Sequence, residues 1–193
     1  MDFPNGSPFD DSEHWYWGRT LPHYDGAQIY QCITYRLADS IPQQLLRETL
    51  SSRNKAVSRI KIEEILDRGL GSCILQSPEV AQIVLDNWFH FHNERYQIIS
   101  YVIMPNHCHI LIQILHEHDL GKIVQSWKSY TSKRIRNFSN QPNHVWQFDY
   151  WDRFIRNEKH YLDCIHYIHQ NPVKAGLCRD AKEWLFSSAI LSP

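Results

Sequence analysis

The chain has 193 residues, of which 42% are hydrophobic and 13% aromatic, enough for one domain with a buried core. With 7 Gly, 9 Pro and 21% charged residues, collagen-like, coiled-coil and disordered classes are excluded. The formal net charge of -1 argues at first sight against a nucleic-acid partner, but it sums two unlike parts. Residues 1–121 carry 9 Lys/Arg against 15 Asp/Glu, whereas residues 122–193 carry 11 against 6. Lys122 to Arg136 holds Lys122, Lys128, Lys133, Arg134 and Arg136 and no acid, with Trp127 and Tyr130 among them. Such a stretch is either a solvated helix face or the footprint of an acidic ligand, most often a nucleic acid.

Residues 1–26, with Pro4, Gly6, Pro8 and Pro22, read as an N-terminal arm that packs through Trp15, Tyr16 and Trp17. Its polar, acidic start lacks the character of a secretory signal. No apolar run reaches the roughly 18 residues of a membrane helix. Cys32, Cys73, Cys108, Cys164 and Cys178 include no C-x-x-C pair, which argues against a zinc ribbon or disulfide framework and fits a reducing cytoplasm.

Residues 27–193 read as one domain. Gln28 to Leu37 alternates like a strand. Residues 43–75 form a peripheral insert, polar and helical in composition, with two helices up to Arg68. Ser77-Pro78-Glu79 starts a helix whose apolar positions are Val80, Ile83, Val84, Trp88 and Phe91. Tyr96 to Met104 and His107 to Leu115 are strands joined by Pro105-Asn106. Lys122 to Phe138 is an amphipathic helix with Ile123, Val124, Trp127, Thr131, Ile135 and Phe138 inward. After a loop, Val145 to Trp151 reads as a strand, and Glu158 to Gln170 as a helix stopped by Pro172. The order is βαββαβ with an added C-terminal helix. This predicts an α+β domain in which helices cover one face of an antiparallel sheet and the other face is free for a ligand.

Three H-x-H pairs occur. His90 and His92 lie in a helical stretch and point about 200° apart, so they cannot share an ion. His116 and His118 sit in a turn past a strand end. His107 and His109 open a strand and project from one face, with Cys108 turned away, an arrangement that suits two metal ligands or two core histidines. On the last helix Tyr161, Cys164, Ile165 and Ile168 should face inward, and Tyr167 and Asn171 stand four apart on another face. A phenol beside an amide near two histidines proposes a nucleophile at a metal site, against the plainer reading of a structural tyrosine and a helix cap.

Met104-Pro105-Asn106-His107-Cys108-His109-Ile110-Leu111 resembles the strand motif of HUH single-strand endonucleases. Further segments resemble one branch of that superfamily, the REP-associated tyrosine transposases. They are Leu21 to Asp25, Thr34 to Ser40, Ser126 to Thr131, Trp146-Gln147, Tyr150 to Asn157 and Tyr167 to Leu177. The resemblance runs in order from about residue 18 to 189. It implies a ferredoxin-like HUH-type catalytic domain, with His107 and His109 as metal ligands, Tyr167 as nucleophile, and Asn171 where the wider family often has a glutamine ligand. It further implies a Mg²⁺ or Mn²⁺ cofactor, a single-stranded or hairpin DNA substrate of the repetitive extragenic palindrome kind, and a cytoplasmic, nucleoid-associated monomer or homodimer. On this reading the five cations of Lys122 to Arg136 neutralise phosphates, and Arg153 and Arg156 grip the strand near the cleaved bond. The alternatives are a non-catalytic hairpin DNA- or RNA-binding module on the same fold, or a two-histidine phosphoester hydrolase.

Overall fold

The computed structural model describes residues 15–18, 22–24, 28–51, 55–116, 118–138 and 144–191. Four strands form one antiparallel sheet: β3 (Tyr30–Arg36), β4 (Tyr96–Ile103), β5 (His107–Ile114) and β6 (Trp151–Phe154), in the spatial order β4-β5-β3-β6. This is the ferredoxin-like arrangement. Two short strands, β1 (Trp15–Trp17) and β2 (Pro22–Tyr24), make a separate antiparallel ribbon. The helices are α1 (Gln43–Leu50), α2 (Lys55–Asp67), α3 (Pro78–His90), α4 (Leu120–Arg136) and α5 (Glu158–Lys174).

Strand alternation divides the core in two. Ile33, Tyr35, Cys108, Ile110 and Ile112 point to one face, where Val84 and Trp88 of α3 and Ile123, Trp127 and Ile135 of α4 pack against them. The two crossover helices therefore share one face, as the pattern predicts. Tyr96 ties this layer together: its hydroxyl donates to the Trp88 carbonyl (2.7 Å) and accepts from the Trp127 indole (2.9 Å). The other face is not free. Tyr161, Cys164 and Ile168 of α5 pack on Cys32, Val102 and Leu111, so the C-terminal helix covers part of it.

Other boundaries moved for identifiable reasons. Pro172 does not stop α5, which runs on to Lys174 and closes with the Ala175 N–H on the Asn171 carbonyl (3.0 Å). A proline this near the end costs one backbone bond, and the buried apolar side of the helix outweighs it. The last sheet strand begins at Trp151, not Val145. Trp146 makes only an isolated bridge to Leu37, and its indole donates to Thr131 of α4 (2.8 Å), so the aromatic run seals the helix layer instead of extending the ladder. Phe138 lies past the end of α4 and is exposed, not inward.

The N-terminal ribbon packs through Trp15, against Tyr24 and Phe154, and through Tyr16, as expected, but not through Trp17. Trp17 is 72% exposed, while Tyr16 bonds hydroxyl to hydroxyl with Tyr150 (2.6 Å). His23 is buried, stacked on Tyr150 and bonded to Asp152 of β6 (2.5 Å). Residues 1–14, and with them most of the predicted arm, lie outside the described residues.

The insert is not peripheral. Ile62, Ile65 and Leu66 of α2 pack with Ile41 and with Trp151 of β6, and Asp67 pairs with Lys174 of α5 (2.9 Å). Its return to the sheet needs Gly71. There φ is +87°, and a Cβ would stand 2.6 Å from the Asp39 carbonyl oxygen.

Candidate active site

The β4–β5 hairpin turns at Pro105-Asn106 and is closed by the Met104 N–H on the His107 carbonyl (2.8 Å). His107 and His109 therefore start β5 on the face toward α5, with ring centroids 4.8 Å apart, and both are buried. Tyr167 of α5 sets its ring edge-on to His109 at 5.3 Å, and Asn171, one turn on, brings its Nδ2 to 3.2 Å from His109 Nε2. The structure thus brings together the two histidines, the tyrosine and the amide. Their i, i+2 and i, i+4 spacings meet because α5 lies across the start of β5.

Two neighbours that the sequence did not single out orient the imidazoles. Asn106 Nδ2 donates to the carbonyls of Leu66 (3.2 Å) and Leu70 (3.0 Å). Its Oδ1 is therefore fixed toward His107 Nδ1 at 2.7 Å, where it accepts that nitrogen's proton. Thr34, opposite His109 in the β3–β5 ladder, takes His109 Nδ1 at 2.8 Å. With Nδ1 of His107 protonated, its Nε2 lone pair remains to receive a proton donor or a metal, and the Asn171 Nδ2 donor facing His109 Nε2 calls for a lone pair there as well. The cross-strand register was the one signal that would have marked Thr34.

Burial pushes His107 down to about 3, with the Lys174 ammonium contributing, and pushes His109 well below the ordinary value. Both are neutral at physiological pH, the form that ligates metal. Beside these histidines, two buried oxygens have no hydrogen-bond partner, Asn171 Oδ1 and Tyr167 Oη. A half-turn of the Asn171 amide points Oδ1 toward His109 Nε2 in place of Nδ2. These donors, two neutral imidazoles and an amide oxygen, fit a divalent cation with water completing its shell. No group of three or more His, Cys, Asp or Glu with metal-binding geometry occurs among the described residues, so any site here depends on that amide. The Tyr167 phenol is raised well above its ordinary value, chiefly by burial and then by the Glu63 carboxylate, so it is protonated at rest.

Tyr167 opens into a cleft of about 370 Å³ between α2, β3, β6 and α5. Arg153 lines it, and Arg153 and Arg156 share the adjoining surface depression. The basic residues of α4 are elsewhere. That helix packs on the sheet face opposite the histidines, with Lys122, Lys133, Arg134 and Arg136 exposed. Lys128 turns inward: its ammonium donates to the carbonyls of Gln147 (3.1 Å), Phe148 (2.9 Å) and Asp149 (3.2 Å), and burial lowers it to about 8. It braces the segment before β6. His116 and His118 lie past the end of β5, and His92 accepts from the Ile98 N–H (3.0 Å); neither pair joins the site.

Comparison with known proteins converges on the same segment. The family described as "Transposase IS200 like" matches residues 84–171. A REP-associated tyrosine transposase of Escherichia coli is 32% identical over 93 residues, 48% of this chain and 54% of that protein. A Haemophilus influenzae protein provisionally given the same name is 26% identical over 103 residues, 48% of this chain and 58% of that protein. The chain thus spans little more than half the length of these curated relatives. Among solved structures, that of a REP-associated tyrosine transposase bound to a REP hairpin has the same fold, with a TM-score of 0.60 and 19% identity. The likeness covers 89% of this chain and 82% of that one. Residues 84–171, which carry His107, His109, Tyr167 and Asn171, are thus similar to the IS200-like transposase family.

Proposed function

We propose that this chain is a metal-dependent single-strand DNA endonuclease and strand transferase, acting at hairpin-associated sites with Tyr167 as nucleophile. The observation that carries the reading is a buried phenol without a hydrogen-bond partner, packed on His109 and opening into a cleft that Arg153 also lines. His107 Nε2, His109 Nε2 and the Asn171 amide oxygen would hold Mg²⁺ or Mn²⁺, which supplies charge neutralisation at a non-bridging phosphate oxygen.

The chain's own residues do the rest. Asn106 keeps the His107 imidazole in the ligating tautomer, and Thr34 holds the His109 ring in place. Tyr167 attacks the phosphorus: its O–P bond forms, the bond from phosphorus to the 3′ oxygen breaks, the phenolic proton passes to solvent, and the departing 3′ oxygen takes up a proton in turn. The products are a 5′-phosphotyrosine and a free 3′-hydroxyl. One phosphodiester is exchanged for another, so a later 3′-hydroxyl reverses the step without an external energy source. Arg153 and Arg156 bear on the strand near that bond, and the exposed cations of α4 offer a second, separate phosphate-binding surface. Hairpin DNA as substrate is supported by the hairpin bound to the structural relative.

The test is incubation with labelled single strands carrying hairpins, with and without Mn²⁺. Wild-type protein should leave a labelled covalent adduct on a denaturing gel, and Tyr167→Phe should bind the strand but leave none. An adduct on Tyr167→Phe would remove Tyr167 from its role.

A further inference from the structure

The helical insert contributes to the cleft that Tyr167 opens into. Arg59 and Glu63 of α2 line it together with Cys32, Arg153, Cys164 and Tyr167. Its volume of about 370 Å³ lies within the range of small-ligand pockets. Two guanidinium groups thus reach one cleft from elements far apart in sequence. Arg153 is held below its ordinary value by partial burial and then by the Arg59 guanidinium.

The carboxylates available to balance them are few. Glu63 accepts from Arg59 Nε at 3.2 Å, and Asp163 is paired with Lys159 (2.6 Å). No hydrogen bond or ion pair holds the Arg153 guanidinium among the described residues. Asp163 also lines the cleft, so with Lys159 at its rim three cations face two carboxylates, and the partly exposed Arg59–Glu63 pair is weak and easily exchanged. A planar guanidinium on each side suits a phosphodiester, whose two non-bridging oxygens each accept a hydrogen bond.

We propose that Arg59 and Arg153 form a phosphate-binding subsite beside Tyr167, into which a backbone phosphate of single-stranded DNA fits as the Arg59–Glu63 pair opens. The insert is then part of the substrate-binding surface. This rests on the strand-cleavage reading, because the bound phosphate adjoins the bond that Tyr167 attacks.

The experiment is a fluorescence-anisotropy titration of labelled oligothymidylate at several salt concentrations, beside the adduct assay on hairpin strands. Arg59→Ala and Arg153→Ala should each lower the salt slope by about 0.7 and weaken binding about fivefold near 0.1 M salt. Arg59→Lys should keep the slope. Glu63→Gln, which frees Arg59, should tighten binding. Lys61→Ala, on the same helix but outside the cleft, should leave the slope unchanged. An Arg59→Ala protein that unfolds like wild type and keeps the wild-type slope overturns the subsite, as does an equal drop for Lys61→Ala. The two readings fail separately. Wild-type protein without an adduct under Mn²⁺ sinks the cleavage reading while the binding titration still reads the subsite.

Discussion

Replacing Asn106 separates two duties of one buried amide. Its Nδ2 holds the end of the insert through the Leu66 and Leu70 carbonyls, and its Oδ1 holds the His107 Nδ1 proton. In Asn106→Ala the His107 N–H becomes a buried donor without a partner, which costs about 1–3 kcal/mol, and two bonds to carbonyls worth about 0.5–1.5 kcal/mol each are lost. The total is about 2–6 kcal/mol, or a fall in Tm of roughly 4–24 °C for a chain of this size. At the proposed metal site, loss of the partner behind His107 should also weaken Mn²⁺ binding about 10–100-fold. Asn106→Asp divides the effects. A carboxylate still accepts from His107 but cannot donate to Leu66 and Leu70, so stability should fall while Mn²⁺ affinity is kept. Urea unfolding reads the first quantity and Mn²⁺ titration calorimetry the second. Equal Mn²⁺ affinities in the alanine and aspartate variants, or an alanine variant within about 0.5 kcal/mol of wild type, would refute this account of Asn106.

The buried imidazoles make the metal-free protein sensitive to acid. His107 is held at about 3 and His109 is also depressed, whereas in the unfolded chain both titrate near the ordinary value of about 6.5. Their contribution is complete above about pH 6.5 and is lost as pH falls toward about 3, because the unfolded chain takes up the protons first. Between about pH 7.5 and 5.5 the loss is about 1.4 kcal/mol per imidazole, and a urea midpoint that stays level over that range contradicts it. Lys128→Ala should destabilise the fold by about 1–3 kcal/mol by freeing three carbonyls, yet leave the salt slope for DNA unchanged, while Lys133→Ala lowers it. An unaltered unfolding curve with a lowered slope would return Lys128 to the phosphate-binding set. Gly71→Ala forces a side chain onto the Asp39 carbonyl at positive φ and should cost about 1–3 kcal/mol in thermal unfolding, whereas a neutral effect would mean that the insert's return loop shifts freely.

Much of this architecture follows from local periodicity. The alternation of His-Cys-His-Ile-Leu-Ile puts His107 and His109 on one face and Cys108 in the helix-side core, and the four-residue step from Tyr167 to Asn171 stacks them on one side of α5. What local pattern does not carry is which sheet face α5 covers and where the insert folds back. Both are long-range choices, set by Tyr161, Cys164 and Ile168 meeting Cys32 and Leu111, and by Ile62, Ile65 and Leu66 meeting Ile41 and Trp151. A polar composition made the insert look peripheral, although its four-residue spacing from Arg59 to Glu63 is what faces the cleft. Pro172 misled in the opposite way. A local helix breaker near a helix end is overridden when the turn it interrupts is anchored by buried residues on both sides.

Tyr167 and His109 of one chain meet ring to ring, so the proposed nucleophile and one of its imidazoles come together within a single polypeptide. On the proposed mechanism one chain suffices for the first cleavage. Mixing a chain that lacks the tyrosine with a chain that lacks a histidine cannot restore a working centre, and the rate of adduct formation rises in simple proportion to protein. Any pairing of chains then bears on the bringing together of two DNA ends and not on the making of the scissors.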